Sequence, residues 1–182
     1  EADIEEEIPQ DFAIYDLVRF LNGISLFEEP ELDFTNDSHL TIRDGKSKRT
    51  KYFFADPSVI VAPPEKSITL PSEDVSFTLD SNNLIQLLKA SAVYGLPDLS
   101  AVGEAGVVKL VIRDKKNDTS DDFSIIVGET DKNFSFNFKI ENIKILPGTY
   151  KVDISEKLLS RFVNESHNLT YYIALEPDST FG

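Results

Sequence analysis

The closest this sequence comes to an acid–base centre is the run Glu28, Glu29, Glu31 and Asp33. Neighbouring carboxylates can divide the acid and base roles when their environments drive their pKa values apart. That chemistry also needs a nucleophile or an activated water, and no motif supplies one. The chain contains no G-x-S-x-G, G-x-x-x-x-G-K-[ST], G-x-G-x-x-G or H-E-x-x-H. It has no cysteine, which removes thiolate nucleophiles, disulfides and cysteine metal sites together. His39 and His167 are the only histidines and sit in turn-like contexts, too few for a multi-histidine centre. The loop Asp114–Asp122 has the composition of a calcium loop but neither the D-x-D-x-D-G spacing nor the closing Glu. These acids read as solvated surface. Binding is expected here rather than catalysis, with no metal and no cofactor.

Charge placement is the sharper signal. The chain carries 32 acidic and 18 basic residues, for a net charge of −14. A strongly acidic surface repels polyanions over most of its area, so contact with nucleic acid would be confined to one face. Yet no Asp or Glu occurs between Ser81 and Pro97, and none within LVRFLNGISL (17–26). Both stretches have helical spacing: Leu17, Phe20, Leu21 and Ile24 fall on one face of the first, and Leu84, Leu87 and Leu88 on one face of the second. Asp16 and Asp80 are suited to cap them, and Gly95 followed by Pro97 ends the second. Two explanations stand side by side. Such helices lie half-buried on a sheet with few charges of any kind, or their polar faces look at a polyanion. Duplex DNA carries about one charge per 1.7 Å, and few cations with no carboxylates suit loose, sequence-independent contact.

The surrounding elements repeat. Strand–helix–three strands is expected three times, the first copy running Asp11–Asp16, Leu17–Phe27, 31–36, 39–43 and 49–55. The second comprises 75–79, 81–95, 98–103, 107–114 and 122–128. The third comprises 133–140, a short helix at 141–146, then 149–155, 158–164 and 169–175. Internal repetition at about 50 residues is the most informative feature of the organisation. Asp44-Gly45 reads as a type I′ hairpin turn. Residues 57–74 hold four of the nine prolines and form an extended connector, apolar at its centre (VIVAPP). Residues 1–10 read as a linker. No run of ~18 apolar residues is present and no signal-peptide pattern opens the sequence, so neither a membrane nor secretion is expected. The five Asn-x-Ser/Thr matches accordingly read as incidental.

Several segments carry a family resemblance. DFAIYDLVRFLNGISL (11–26), FADPSVIVAP (54–63), FNFKIENIKILPGTYKV (136–152) and YYIALEPDST (171–180) resemble the DNA polymerase sliding clamp of T-even-type bacteriophages, in the same order and at similar spacing over nearly the whole chain. The Asp-Pro-Ser opening of the connector and the C-terminal ALE-x-DST are the most specific pieces, while 96–131 matches mainly in pattern. The resemblance implies an α+β DNA-clamp fold of strand–helix–three-strand units, helices lining a central hole and antiparallel sheets outside. It implies a subunit that trimerises around duplex DNA, tethers the polymerase through a C-terminal peptide, and is opened by an ATP-driven clamp loader. The setting would be the cytoplasm of an infected bacterium.

A full clamp subunit of this type has four units, so the first is expected to be absent. Residues 1–56 would be the second half of an N-terminal domain, 57–74 the interdomain connector and 75–182 the C-terminal domain, with units at 75–130 and 133–179. Carried over by position, the DNA-facing residues would be Arg19, Asn82, Gln86, Lys89 and Lys144, with Lys46, Lys48 and Arg49 on a neighbouring loop. The partner-peptide pocket would use Val59, Ile60, Val61, Pro63, Tyr172, Ala174, Leu175 and Pro177. Subunit contacts would run along the edge strands 49–55 and 122–128, through Tyr52, Phe54, Phe123 and Ile125. The alternative class is a phage structural β protein that packs into an assembly without a DNA channel; a β-scaffold hydrolase is a weaker third.

Overall fold

The computed structural model describes residues 7–61 and 67–182. The chain divides into two compact units, with the division after Lys66.

In the first unit, α1 (Leu17–Ile24) is followed by the antiparallel strands β1 (Glu31–Asp33), β2 (His39–Asp44) and β3 (Lys48–Phe53), in sheet order β1-β2-β3. Asp16 caps α1 by accepting a 2.9 Å hydrogen bond from the Arg19 N–H. The helix stops at Ile24, short of the expected Phe27, where Ser25 turns its hydroxyl back onto the Asn22 carbonyl at 2.9 Å. The β2–β3 hairpin is not a type I′ turn. Its loop has three residues, and only Gly45 adopts positive φ (57°), so Gly alone relieves the strain there. Phe20, Leu40 and Ile42 form the buried centre, walled by Phe12, Phe34, Tyr52 and Phe54.

The second unit has β4 (Val75–Leu79), α2 (Ser81–Tyr94), β5 (Asp98–Glu104), β6 (Val107–Arg113), β7 (Phe123–Glu129), β8 (Phe134–Lys139), β9 (Tyr150–Ser155), β10 (Leu159–Asn164), β11 (Leu169–Ala174) and β12 (Thr180–Phe181). Two sheets result, β11-β10-β9-β4 and β12-β8-β5-β6-β7. Each repeat thus lends its first strand to the other repeat's sheet: β4 pairs with β9, and β8 pairs with β5. This exchange explains one failed expectation. Asp11–Asp16 forms no strand, because the first strand of a repeat does not pair with its own three strands, and the described part of the first unit has only one sheet. Its one backbone link to β3's continuation is the Ala55 N–H to the Ala13 carbonyl, 3.0 Å.

α2 follows the expected physics. Asp80 accepts from the Asn83 N–H at 2.8 Å, and Gly95 ends the helix at φ 67°. Leu84 and Leu87 are buried among Leu110, Phe136, Phe138, Tyr150, Val152 and Ile154, in a core continuous across both sheets. The expected third helix is instead a 3-10 turn, Ile140–Asn142. Three β-branched isoleucines crowd that stretch, no side chain caps it, and the Ile140 N–H is committed to the Pro97 carbonyl at 2.9 Å.

The sheet faces turned away from this core carry charge. Asp153 is fully buried on β9 and accepts from Arg161 (2.8 Å) and Ser76 (2.7 Å), with Lys151 at 3.3 Å. Arg161 also pairs with Glu73, and Ser72 and Asp74 bond each other and the end of β9. The last residues of the connector are thereby pinned to the sheet. Asp98, equally buried on β5, pairs with Lys139.

Burial alone would raise the Asp153 pKa, but its hydrogen bonds from Arg161 and Ser76 and its pairing with Lys151 outweigh this and hold the carboxyl low. A lowered folded-state pKa gives stability that is complete above the unfolded value and lost as pH falls through the folded one. The urea midpoint should therefore hold from pH 7 down to about pH 4 and decline below it. Asp153→Asn should lower the midpoint at pH 7 and flatten part of that decline; an unchanged pH profile would contradict the assignment.

Candidate nucleic-acid interface

The two long helices contribute 22 residues with no acid among them and one cation each. Their aspartates stand just outside, at the N-caps, where the carboxylates are occupied by backbone N–H groups. On α2, Asn82, Gln86 and Lys89 are exposed along one stripe, so the structure brings these three expected residues together. The stripe is not wholly polar, because Ile85 and Val93 share it. Lys89 lies in a shallow recess with Gln86, Val93, Tyr94 and Phe123. On α1, Arg19 is exposed beside Val18 and Asn22. Neither Arg19 nor Lys89 is in an ion pair among the described residues. Their charge is available to a ligand.

Other expected positions need correction. Lys144 is exposed but stands in the loop after the 3-10 turn, not on a helix. The α1 stripe is only half covered within its unit: Phe20 is buried and Ile24 half-buried, while Leu17 and Leu21 are exposed. Lys46, Lys48 and Arg49 are exposed at the β2–β3 hairpin.

Of the expected pocket residues, Val59 and Val61 are exposed, Val61 at 96%, and Ile60 is half-buried. Asp56 holds the 3-10 turn Pro57–Val59 by accepting from the Ser58 N–H, so the connector is not extended throughout. Pro63 lies outside the described residues. Tyr172 and Ala174 share a face of edge strand β11, opposite Arg161 and Leu159. Pro177 is exposed. Leu175 is a core residue, with its N–H on the Leu158 carbonyl at 3.0 Å, and cannot contact a ligand.

Tyr52, Phe123 and Ile125 are on edge strands and Phe54 just follows one, but all four expected seam residues turn inward. Tyr52 meets Phe20 at 4.9 Å between ring centroids, Phe54 meets Phe12 at 5.3 Å, and Phe123 and Ile125 pack on the larger core. The large apolar side chains these strands expose are Phe53 (65%) and Ile126 (62%), which sequence alternation missed because both faces of each strand carry large apolar residues.

Residues 76–177, more than half of the chain, match the family model for the gp45 sliding clamp, C terminal. The chain belongs to the gp45 sliding-clamp family. It is 37% identical over 182 residues to the sliding clamp of Vibrio phage KVP40, covering 96% of this chain and 80% of that one. Identity to the sliding clamp of Escherichia phage RB69 is 34%, and to that of Enterobacteria phage T4 33%, each covering 99% of this chain and 81% of the relative. Among solved structures, the chain resembles one described as the C-terminal region of FEN-1 bound to A. fulgidus PCNA (TM-score 0.55, 14% identity, 83% of this chain and 65% of that one). It also resembles Caulobacter crescentus pol III beta (TM-score 0.52, 11% identity, 78% and 40%). At these identities the structures establish the clamp fold. The family membership makes this chain a DNA sliding clamp and displaces the structural-protein alternative.

Within the clamp, α1 is seated by one buried side chain. Phe20→Ala should destabilise the first unit by about 3–5 kcal/mol. Hydrogen exchange over 17–24 should accelerate, with α2 unaffected; equal loss of protection in both helices would refute the local role.

Proposed function

We propose that this clamp subunit assembles as a homotrimer around duplex DNA, with the exposed faces of α1 and α2 lining the hole. The observation that carries the reading is the exclusion of carboxylates from both helices in a chain of net charge −14. A phosphate backbone next to acidic helices would be repelled; next to Asn82, Gln86 and Lys89 it meets polar groups and a sparse positive charge. Two helix cations per chain, Arg19 and Lys89, give six in a three-membered ring. Even if all six contacted phosphate at once, log K would fall with log salt at a slope of only about −5. Contacts this weak hold a ring near the duplex axis without fixing it to a sequence, so topology rather than affinity retains the DNA.

In this reading residues 57–74 join two domains and 75–182 form the C-terminal one. Val59, Ile60 and Val61 on the connector and Tyr172, Ala174 and Pro177 by β11 are the surfaces offered to the polymerase C-terminal peptide. Exposed aliphatic side chains of this kind bind apolar anchors of an extended peptide. An ATP-driven loader opens the ring, the clamp itself performs no chemical step, and the work is done in the cytoplasm of the infected cell.

The full-length protein, loaded with its loader, should remain on nicked circular DNA through gel filtration and be lost when the circle is linearised. A protein that never stays on circles would refute the reading. Lys89→Glu should leave the melting temperature unchanged and shorten residence on the circle severalfold; an unaltered residence would remove α2 from the lining.

A further inference from the structure

The C-terminal ALE-x-DST sequence folds into a held turn. The Ser179 N–H donates to the Glu176 carbonyl at 3.1 Å and closes the turn. Pro177 takes its second position, where the fixed φ of proline suits the bend. Pro177 and Asp178 stand exposed at the tip, just past edge strand β11. Asn137 on β8, only 5% exposed, carries this turn. Its carbonyl accepts from the Glu176 N–H at 2.7 Å, and its N–H donates to the Ser179 hydroxyl at 2.9 Å. Its side-chain amide donates to the Asp178 carboxylate at 3.2 Å. Its Oδ1 is tied to the sheet, accepting from the Ser100 hydroxyl at 2.7 Å and from Arg113 Nη2 at 3.4 Å. Asp178 accepts a second bond, from Lys115 Nζ at 2.8 Å. That ammonium holds the Asp178 carboxyl below the usual carboxylate range, and Asn137 adds to the effect. Lys115 is itself anchored, its side chain 13% exposed and its N–H on buried Asp98 at 3.1 Å.

A chain reversal between β11 and β12 needs only the Glu176–Ser179 bond. The further bonds from Asn137 and Lys115 fix the tip of the turn. A loop that must be ordered on binding costs affinity, and one ordered in advance does not. We propose that Lys115 and Asn137 are positioning residues for the partner peptide: without touching it, they hold the Glu176–Ser179 turn in the shape in which Pro177 meets it. The inference rests on the proposed peptide surface at β11 and Pro177, and adds what sets its geometry. Asn137→Asp separates this role from folding. It keeps an acceptor for Ser100, and it gives a carboxylate partner to Arg113, which has no ion pair among the described residues. The amide donor is lost, and a second carboxylate then faces Asp178.

The test measures Kd by fluorescence anisotropy, using the full-length protein and a labelled synthetic peptide with the polymerase C-terminal sequence. Asn137→Asp and, separately, Lys115→Ala should each raise Kd about tenfold. Both should speed amide exchange at 176–179 and leave the melting temperature near wild type. Adding Asp178→Asn to Asn137→Asp returns an amide donor to the pair and should restore both affinity and exchange protection. Lys115→Arg keeps the cation and should bind the peptide far better than Lys115→Ala. If Asn137→Asp fails to fold, the comparison of Lys115→Ala with Lys115→Arg carries the test. A wild-type Kd in the folded variants would overturn the positioning role. So would weakened binding with unchanged exchange at 176–179, or a loss that Asp178→Asn does not reverse. An unsubstituted protein that ignores the peptide, or a Kd indifferent to Tyr172→Ala, would instead overturn the peptide surface itself.

Discussion

Capping, burial and pairing decide where this acidic chain places its acids. Asp16 and Asp80 stand at helix N-caps, engaged by backbone N–H groups. Asp98 and Asp153 are buried on sheet faces and neutralised by Lys139 and by Arg161 with Lys151. Asp121, Asp122 and Glu129 collect along one strand edge. What the helices expose is Asn, Gln, aliphatic side chains, Tyr94 and a single cation each. Under the proposed arrangement, such a chain surrounds a polyanion because its charge is distributed by face, not because its charge is low.

The second constraint is covalent order against spatial order. β4 and β8 each cross into the other repeat's sheet, so neither repeat owns a complete sheet. The core that α2 covers is built from both repeats at once, with Leu84 and Leu87 among residues as distant in sequence as Phe136 and Ile154. Apolar burial of about 1.5–3 kcal/mol for each large side chain is therefore shared between repeats and cannot be divided between them.

Local physics was legible in the sequence and long-range pairing was not. The Asp80 cap, the αL glycine at 95 and the alternation of Phe134, Phe136 and Phe138 in β8 rest on spacing within a few residues. Absence of acids from 17–26 and 81–97 needed only counting. The exchange of first strands leaves no mark on local pattern, and Asp11–Asp16 was misread as a strand for that reason. Ile140–Ile145 shows apolar residues at a spacing that suits a helix, but the commitment of the Ile140 N–H to Pro97 lies outside any local window. At the edges, Tyr52 and Phe53 are adjacent aromatics, so alternation alone gave no means to choose which faces out. Leu175 comes to the pocket only by its position in the family resemblance; in the fold it joins the core of the second unit, with its N–H on the Leu158 carbonyl.

The strand exchange also has a consequence for synthesis. Val75 pairs with Ile154, which follows it by 79 residues (154 − 75). At about 5–20 residues per second, β4 emerges from the ribosome roughly 4–16 seconds before its partner exists. During that interval α2 has only part of its floor, and apolar strands β5 and β6 stand in a half-built sheet.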